Sequence, residues 1–216
     1  MMSKKSFVAQ VFKGRSLLRI MQNICVEGTP LIGKILDLGG GPRSQYYEYF
    51  DISRVETLHY ADLYQVTDDH LIFDFESEFP IDEPTYDTIL LMNVFEHIFR
   101  SDVVLTESYR VLKPGGRMLG VVPFLYPIHG VPNDFWRPTK MALEKSLIDA
   151  GFSSVQISET GHGKQLVIAN LLARSLCFKP LTLLWYAVAR IVDSLGNQID
   201  RRNYPLGYIF VAEKET

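Results

Sequence analysis

Cysteine is scarce in this chain, and neither charge is in clear surplus. Cys25 and Cys177 are the only cysteines among 216 residues. They lie far apart without metal-ligand spacing, so a cysteine metal site is excluded and a disulfide framework is not expected. Both read as buried thiols in a reducing compartment, a single disulfide being the alternative. Lys plus Arg total 22 against 25 Asp plus Glu, a net charge of −3 with a pI of about 6.0. That balance supplies no global basic field, and no nucleic-acid partner is expected. Long apolar runs are missing too. The longest, Pro180 to Ala189, sits between Lys179 and Arg190, well short of the roughly 18 residues a spanning helix needs. Lys4, Lys5, Lys13 and Arg15 interrupt the front of the chain, so no secretory signal is read there. A cytoplasmic protein is expected. Repeats and low-complexity tracts are absent.

What is present is globular: 47% hydrophobic and 22% charged residues give enough apolar surface for a core and argue against disorder. From Gly33 to Val122 short β-rich runs alternate with helical patterns. Strands are predicted at Lys34–Leu38, Val55–Ala61, Leu71–Phe73, Thr85–Met92 and Arg117–Val122. The run Thr88 to Met92 is apolar without alternation, which suits a central strand covered on both faces. Ser101–Leu112 places Val104, Leu105, Ser108, Val111 and Leu112 at helical spacing, and Pro114-Gly115-Gly116 predicts a helix stop and a turn. A helix over Thr139–Ala150 leads to strands at Val155–Glu159 and finally Tyr208–Ala212. Ser6–Cys25 reads as one amphipathic helix, and Lys164–Leu195 as an apolar helical stretch broken near Pro180. The alternation predicts an α/β fold, doubly wound, with a mostly parallel seven-stranded sheet, helices on both faces and a helical insertion before the last strand. One domain spans 1–216: a helical segment 1–33, a ligand-binding core 34–159, an apolar insertion 160–207 and the last strand 208–216.

Ile35 to Pro42 puts Asp37 and three glycines, Gly39, Gly40 and Gly41, at a predicted strand-to-helix turn. Glycines let a ligand approach the backbone closely. The third glycine of a dinucleotide turn is missing, because position 44 is Ser44, and Asp37 is a poor neighbour for a pyrophosphate. A cationic ligand reverses that argument. Asp62 follows the second strand at the distance where an acid binds ribose hydroxyls, and Asp74-Phe75-Glu76 follows the third. These acids fall at successive strand ends on one sheet edge, where open α/β sheets bind ligands. S-adenosylmethionine, with a sulfonium and an ammonium but no phosphate, fits that description.

Ile35–Pro42, Tyr86–Ile98 and Arg110–Gly116 resemble, in order and spacing, successive motifs of the Rossmann-like S-adenosylmethionine-dependent methyltransferases. The resemblance runs from about Ile35 to Phe152. It implies a Rossmann-like fold in which Asp37, Gly39, Gly40 and Gly41 surround the methionine part of the cofactor. It assigns Asp62, with Leu63, to the ribose and Asp74 with Phe75 to the adenine, while Asn93 and His97 line the cofactor from beyond the fourth strand. Arg43 stands where the family often has a glycine, and an arginine can pair with the cofactor carboxylate.

The stretch Val122 to Pro138 follows the fifth strand and is dense in proline, aromatic and ionisable residues, which suits a rigid acceptor loop. The His129 imidazole is suited to taking a hydroxyl proton near neutrality. Asp134 can orient it or act in its place. Arg137 can bind an acidic group on the acceptor, and Trp136 can stack on a sugar or planar ring. Glu96-His97 is a second acid–base pair, or a helix-start feature. His129–Thr139 is similar to bacterial methyltransferases of cell-surface polysaccharide and glycoconjugate assembly, which implies O-methylation of a sugar hydroxyl. A quinone, phenol or other small hydrophobic acceptor is the enzymatic alternative, and a non-catalytic cofactor-binding or assembly protein the other. No metal ligand set is assigned. The apolar segment 165–195 allows a lid, a homodimer surface, or peripheral contact with the inner face of a membrane.

Overall fold

The computed structural model describes residues 4–64, 70–130, 133–173, 178–197 and 202–216. Seven strands form one sheet: β1 (Pro30–Leu38), β2 (Asp51–Asp62), β3 (His70–Ile72), β4 (Tyr86–Met92), β5 (Leu112–Pro123), β6 (Ser154–His162) and β7 (Pro205–Glu213). Their order is β3-β2-β1-β4-β5-β7-β6. The pairs β3–β2, β2–β1, β1–β4 and β4–β5 are parallel. β7 is the exception. It meets β5 with Lys214 opposite Gly116 and Leu206 opposite Phe124, an antiparallel pairing. This is the Rossmann-like arrangement expected from the alternation of strands and helices.

Among the described residues six helices accompany the sheet: α1 (Lys4–Phe12), α2 (Leu17–Val26), α3 (Ser101–Val111), α4 (Lys140–Asp149), α5 (Lys164–Ala173) and α6 (Lys179–Ser194). Local chemistry sets their ends. The Thr139 hydroxyl accepts from Ala142 N at 3.2 Å and caps α4. Pro180 occupies the first turn of α6, where its missing N–H costs nothing.

The described residues gather into two compact units. The larger comprises Glu27–Val122, Ile128–Ser158 and Ile209–Thr216, and includes β1 to β5. Its centre is β4, where Thr88 to Met92 are all buried, as a strand covered on both faces requires. The smaller comprises Met1–Val26, Pro123–Pro127 and Glu159–Tyr208. Its core joins Leu17, Leu18 and Ile20 of α2 to Leu166 and Ala169 of α5 and Tyr186 and Ala189 of α6. Asp193 of α6 accepts from Gln165 N and Leu166 N at 3.1 and 2.9 Å, capping α5 from a distant position in the chain.

Several expectations need correction. The N-terminal helix is two helices, because the chain turns through Gly14 at φ +76. The glycine turn after β1 opens into a short 3-10 turn, Gln45–Glu48, rather than an α-helix. Glu96-His97 lies on a second such turn, Phe95–His97, and α3 starts only at Ser101. Pro114-Gly115-Gly116 does not separate α3 from β5 but lies inside the strand. There β4 advances from Tyr86 to Thr88 while β5 advances from Leu112 to Arg117, so β5 bulges. The last strand starts at Pro205 and β6 runs to His162, which narrows the helical insertion at both ends. Cys25 is exposed rather than buried, its Sγ 3.8 Å from Thr160 Oγ1; Cys177 lies outside the described residues.

Candidate active site

The site sits in the larger unit, at the carboxyl ends of β1, β2 and β4. The chain leaves β1 towards β2 on one side and returns to β4 on the other, so the crevice between β1 and β4 is the switch point of the sheet. Asp37 marks it, paired in register with Tyr60 of β2 and Leu90 of β4. Gly39 turns the chain at φ +72, and a Cβ there would stand 2.5 Å from Val94 Cγ2. Only glycine permits that conformation and that approach of the two loops.

Asp37 is completely buried. Its Oδ2 accepts the hydroxyl of Tyr46 at 2.5 Å and that of Tyr47. Burial pushes the carboxyl up to about 7, and the two tyrosine hydrogen bonds only partly oppose it. Burial and the charge of Asp37 together drive the Tyr47 phenol far up. Asp37 Oδ1 is buried and has no hydrogen-bond partner among the described residues. Gly40 is held against the same carboxylate: a Cβ there would fall 1.7 Å from Oδ2 and 2.5 Å from the Tyr46 oxygen. Gly41 has more room, the His70 ring being 3.5 Å from its built Cβ. His70 reaches the Gly40 carbonyl with Nε2 at 3.2 Å and stacks on Tyr60. The lone Oδ1 and the bare backbone of Gly39 to Gly41 fit a ligand that brings a cationic donor close to the main chain.

The other predicted cofactor residues occupy the neighbouring strand ends. Asp62 is half-buried at the end of β2, where Oδ1 accepts from Tyr64 N at 3.2 Å, and Leu63 beside it is exposed. Asp74 is exposed and turns its loop by accepting from Glu76 N at 2.9 Å. Phe75 packs against Phe73 and Phe79. Asn93 follows β4 in the left-handed region at φ +59 and donates its N–H to Val121 O at 2.9 Å. A non-glycine residue held there stores strain of the kind found at functional sites.

Beyond β5, Ile128–Ser158 belongs to this unit, while Pro123–Pro127 belongs to the smaller one; Val131 and Pro132 lie outside the described residues. His129 and Asp134 come together: Asp134 Oδ2 accepts from His129 N at 2.9 Å and stands 3.3 Å from Nδ1. Arg137 grips both oxygens of Asp134, with 2.6 Å between Nη2 and Oδ2. That guanidinium, aided by the His129 N–H, holds the Asp134 carboxyl down at about 2. Asp134 is thus ionised and a weak proton acceptor, suited to orienting His129 rather than replacing it. Arg137 directs its fork at Asp134 and also donates to Trp136 O. Trp136 donates to Ile98 O at 2.8 Å and lies stacked with Phe99.

Glu96 is the residue that sequence reasoning undervalued. It is fully buried, with Oε1 3.6 Å from His129 Nε2 and 3.8 Å from His97 Nε2. An acid set among Val94, Phe95 and Ile98, next to a histidine, was the available signal. Tyr46, Tyr47 and His70, which surround Asp37 and Gly40, had none beyond being aromatic.

Residues 36–120 match a family model described as a methyltransferase domain. A comparison with curated protein sequences finds no match. The fold is similar to that of an S-adenosylmethionine-dependent methyltransferase from Archaeoglobus fulgidus, at 14% identity and TM-score 0.57, over 96% of this chain and 99% of that one. It is also similar to phosphoethanolamine N-methyltransferase 2 of Haemonchus contortus in complex with S-adenosyl-L-methionine, at 14% identity and TM-score 0.53, over 99% of this chain and 59% of that one. The cyclase SpnF matches as well, at 18% identity and TM-score 0.55, over 93% of this chain and 81% of that one. At these identities the likeness is one of fold. The matched residues span the glycine turn, β4 and its following loop, and most of β5, and together with the fold they support a methyltransferase.

Proposed function

We propose that the protein methylates an oxygen, and that the acceptor is a sugar or glycoconjugate hydroxyl. The observation that carries this is the placement of His129 between two carboxylates, Glu96 at 3.6 Å and Asp134 at 3.3 Å, in an aromatic loop that follows β5. Bound S-adenosyl-L-methionine supplies a methyl group on a positively charged sulfur. Asp37, Gly39, Gly40 and Gly41 hold its methionine end, with Asp37 Oδ1 facing the ammonium. Asp62 and Leu63 take the ribose, Asp74 and Phe75 the adenine, and Asn93 and His97 line the side of β4. His129 Nε2 takes the hydroxyl proton, and the flanking carboxylates stabilise the imidazolium that results. Asp134 orients the ring, and Arg137 keeps Asp134 ionised and in place; both are positioning residues. Alignment of acceptor and methyl carbon supplies much of the rate.

Both compact units act in this reading as one methyltransferase domain in the cytoplasm. The exposed apolar faces of α5 and α6, with Leu171, Leu172, Leu184, Val188 and Ile191 turned to solvent, support a homodimer or peripheral membrane contact through 165–195. They equally favour the second reading, a quinone or phenol acceptor. The test incubates the protein with methyl-labelled cofactor and either sugar nucleotides and glycans or quinols and phenols. Label in the first set is expected. Label only in the second supports the alternative, and cofactor binding with no label in any extract fraction leaves a non-catalytic protein.

A further inference from the structure

Glu96, His97 and His129 converge in a way that proton transfer alone does not require. One ligating atom from each lies within 4.8 Å of the others, and the two rings meet edge to face at 5.2 Å. The Nδ1 sides are held elsewhere. His97 Nδ1 bonds the carbonyl of Asn133, and His129 Nδ1 faces Asp134 Oδ2 at 3.3 Å. A carbonyl and a carboxylate only accept, so each neutral ring keeps its proton on Nδ1 and turns a lone pair out at Nε2. Both Nε2 atoms point at Oε1 of the buried Glu96, at 3.6 and 3.8 Å. Two lone pairs facing the buried carboxylate of Glu96 favour a cation among them.

We propose that Glu96, His97 and His129 bind a divalent first-row transition metal ion, with Asn133 and Asp134 as its outer shell. Two imidazoles and one carboxylate suit zinc, iron or cobalt better than magnesium or calcium, which prefer oxygen. Bonds of ~2.1 Å to nitrogen place tetrahedral ligands ~3.4 Å apart, so the two distances to Glu96 need to close by a few tenths of an ångström and the separation of the two rings' nitrogens by at most ~1.4 Å. Metal-binding histidines characteristically give their second nitrogen to a carbonyl or carboxylate; His97 does so with Asn133, and His129 Nδ1 stands 3.3 Å from Asp134 Oδ2. Three protein ligands leave a position open for the acceptor hydroxyl. The purpose of the ion rests on the oxygen-methylation reading; its binding does not. With the ion seated, His129 is a ligand, and the ion takes over its part in drawing off the acceptor proton, which passes to water.

The test titrates tag-free, chelator-treated full-length protein with Zn2+ by calorimetry and with Co2+ by visible absorption. One equivalent and cobalt bands are expected, unaffected by millimolar Mg2+. Glu96→Gln, His97→Asn and His129→Asn each weaken binding at least 100-fold, and Asp134→Asn weakens it about 10- to 100-fold. If Glu96→Gln misfolds by circular dichroism, the histidine variants decide. No saturable binding by the wild-type protein, or unchanged affinity in folded variants, overturns the site; protons then supply the positive charge. Cofactor binding is measured on the same samples. Ion binding without it defeats the methyl-transfer reading and leaves the ion site standing, and the converse defeats the ion site alone.

Discussion

Tyr46 donates its hydroxyl to Asp37 Oδ2 across 2.5 Å, beneath the backbone of Gly40. The carboxylate that was expected to greet a cationic ligand directly is first of all the anchor of its own loop. One oxygen organises two tyrosines and the other remains for a ligand.

A pH dependence of stability follows. Asp37 titrates near 7 in the folded protein against 3.8 in the unfolded chain. Between those values the folded state holds a proton that the unfolded state has lost, so stability falls as pH rises through the window and levels off above it. The slope is at most about 1.4 kcal/mol per pH unit. Thermal melts from pH 4 to 8 are expected to show this decline in the wild-type protein and a flatter profile in Asp37→Asn. Parallel profiles would count against the raised value. Asp37→Ala is expected to weaken cofactor binding as well.

Gly40 and Gly41 respond differently to one methyl group. Gly40→Ala drives a Cβ into Asp37 and Tyr46, whereas Gly41→Ala meets only ordinary contact with His70. Cofactor affinity by calorimetry is expected to drop tenfold or more in the first and to change little from crowding in the second. Equal losses would refute the account of the turn.

At the acceptor side, His129→Ala is expected to slow turnover by about 100-fold or more, the usual weight of a general base, with cofactor affinity within about twofold. Asp134→Asn removes the partner of Arg137 and the oxygen beside Nδ1. It is expected to lower kcat and shift the pH profile of kcat. A change in KM alone would instead assign the loop to binding.

In the smaller unit, Asp193→Ala uncaps α5, whose first N–H groups it accepts. A loss of about 1–2 kcal/mol is expected from the missing cap, read as a lower denaturant midpoint, and Asp193→Asn should retain part of it. No change in midpoint would show that the contact contributes nothing.

The strands were legible because their signal is local. Ile35 to Leu38 and Thr88 to Met92 are apolar runs that any sheet interior demands. The glycine turn was legible for the same reason, since no side chain fits at Gly39. The break at Gly14 was also on the page, in Lys13-Gly14-Arg15-Ser16, but the apolar residues on either side masked it. Long-range pairings were not readable. Glu96 meets His129 only because β4 and β5 are neighbours in the sheet, and Asp193 caps α5 only because α5 and α6 pack together. A buried acid is recognised by what the fold brings to it, and spacing along the chain does not record that.

The 3-10 turn at Gln45–Glu48 bears on selectivity against nicotinamide nucleotides. A long helix starting at the glycine turn would gather peptide dipoles and draw a pyrophosphate towards Gly39. Four residues of tight coil gather almost none. Beside a carboxylate that can ionise, such a mouth offers a pyrophosphate little, which suits a metabolite without phosphate.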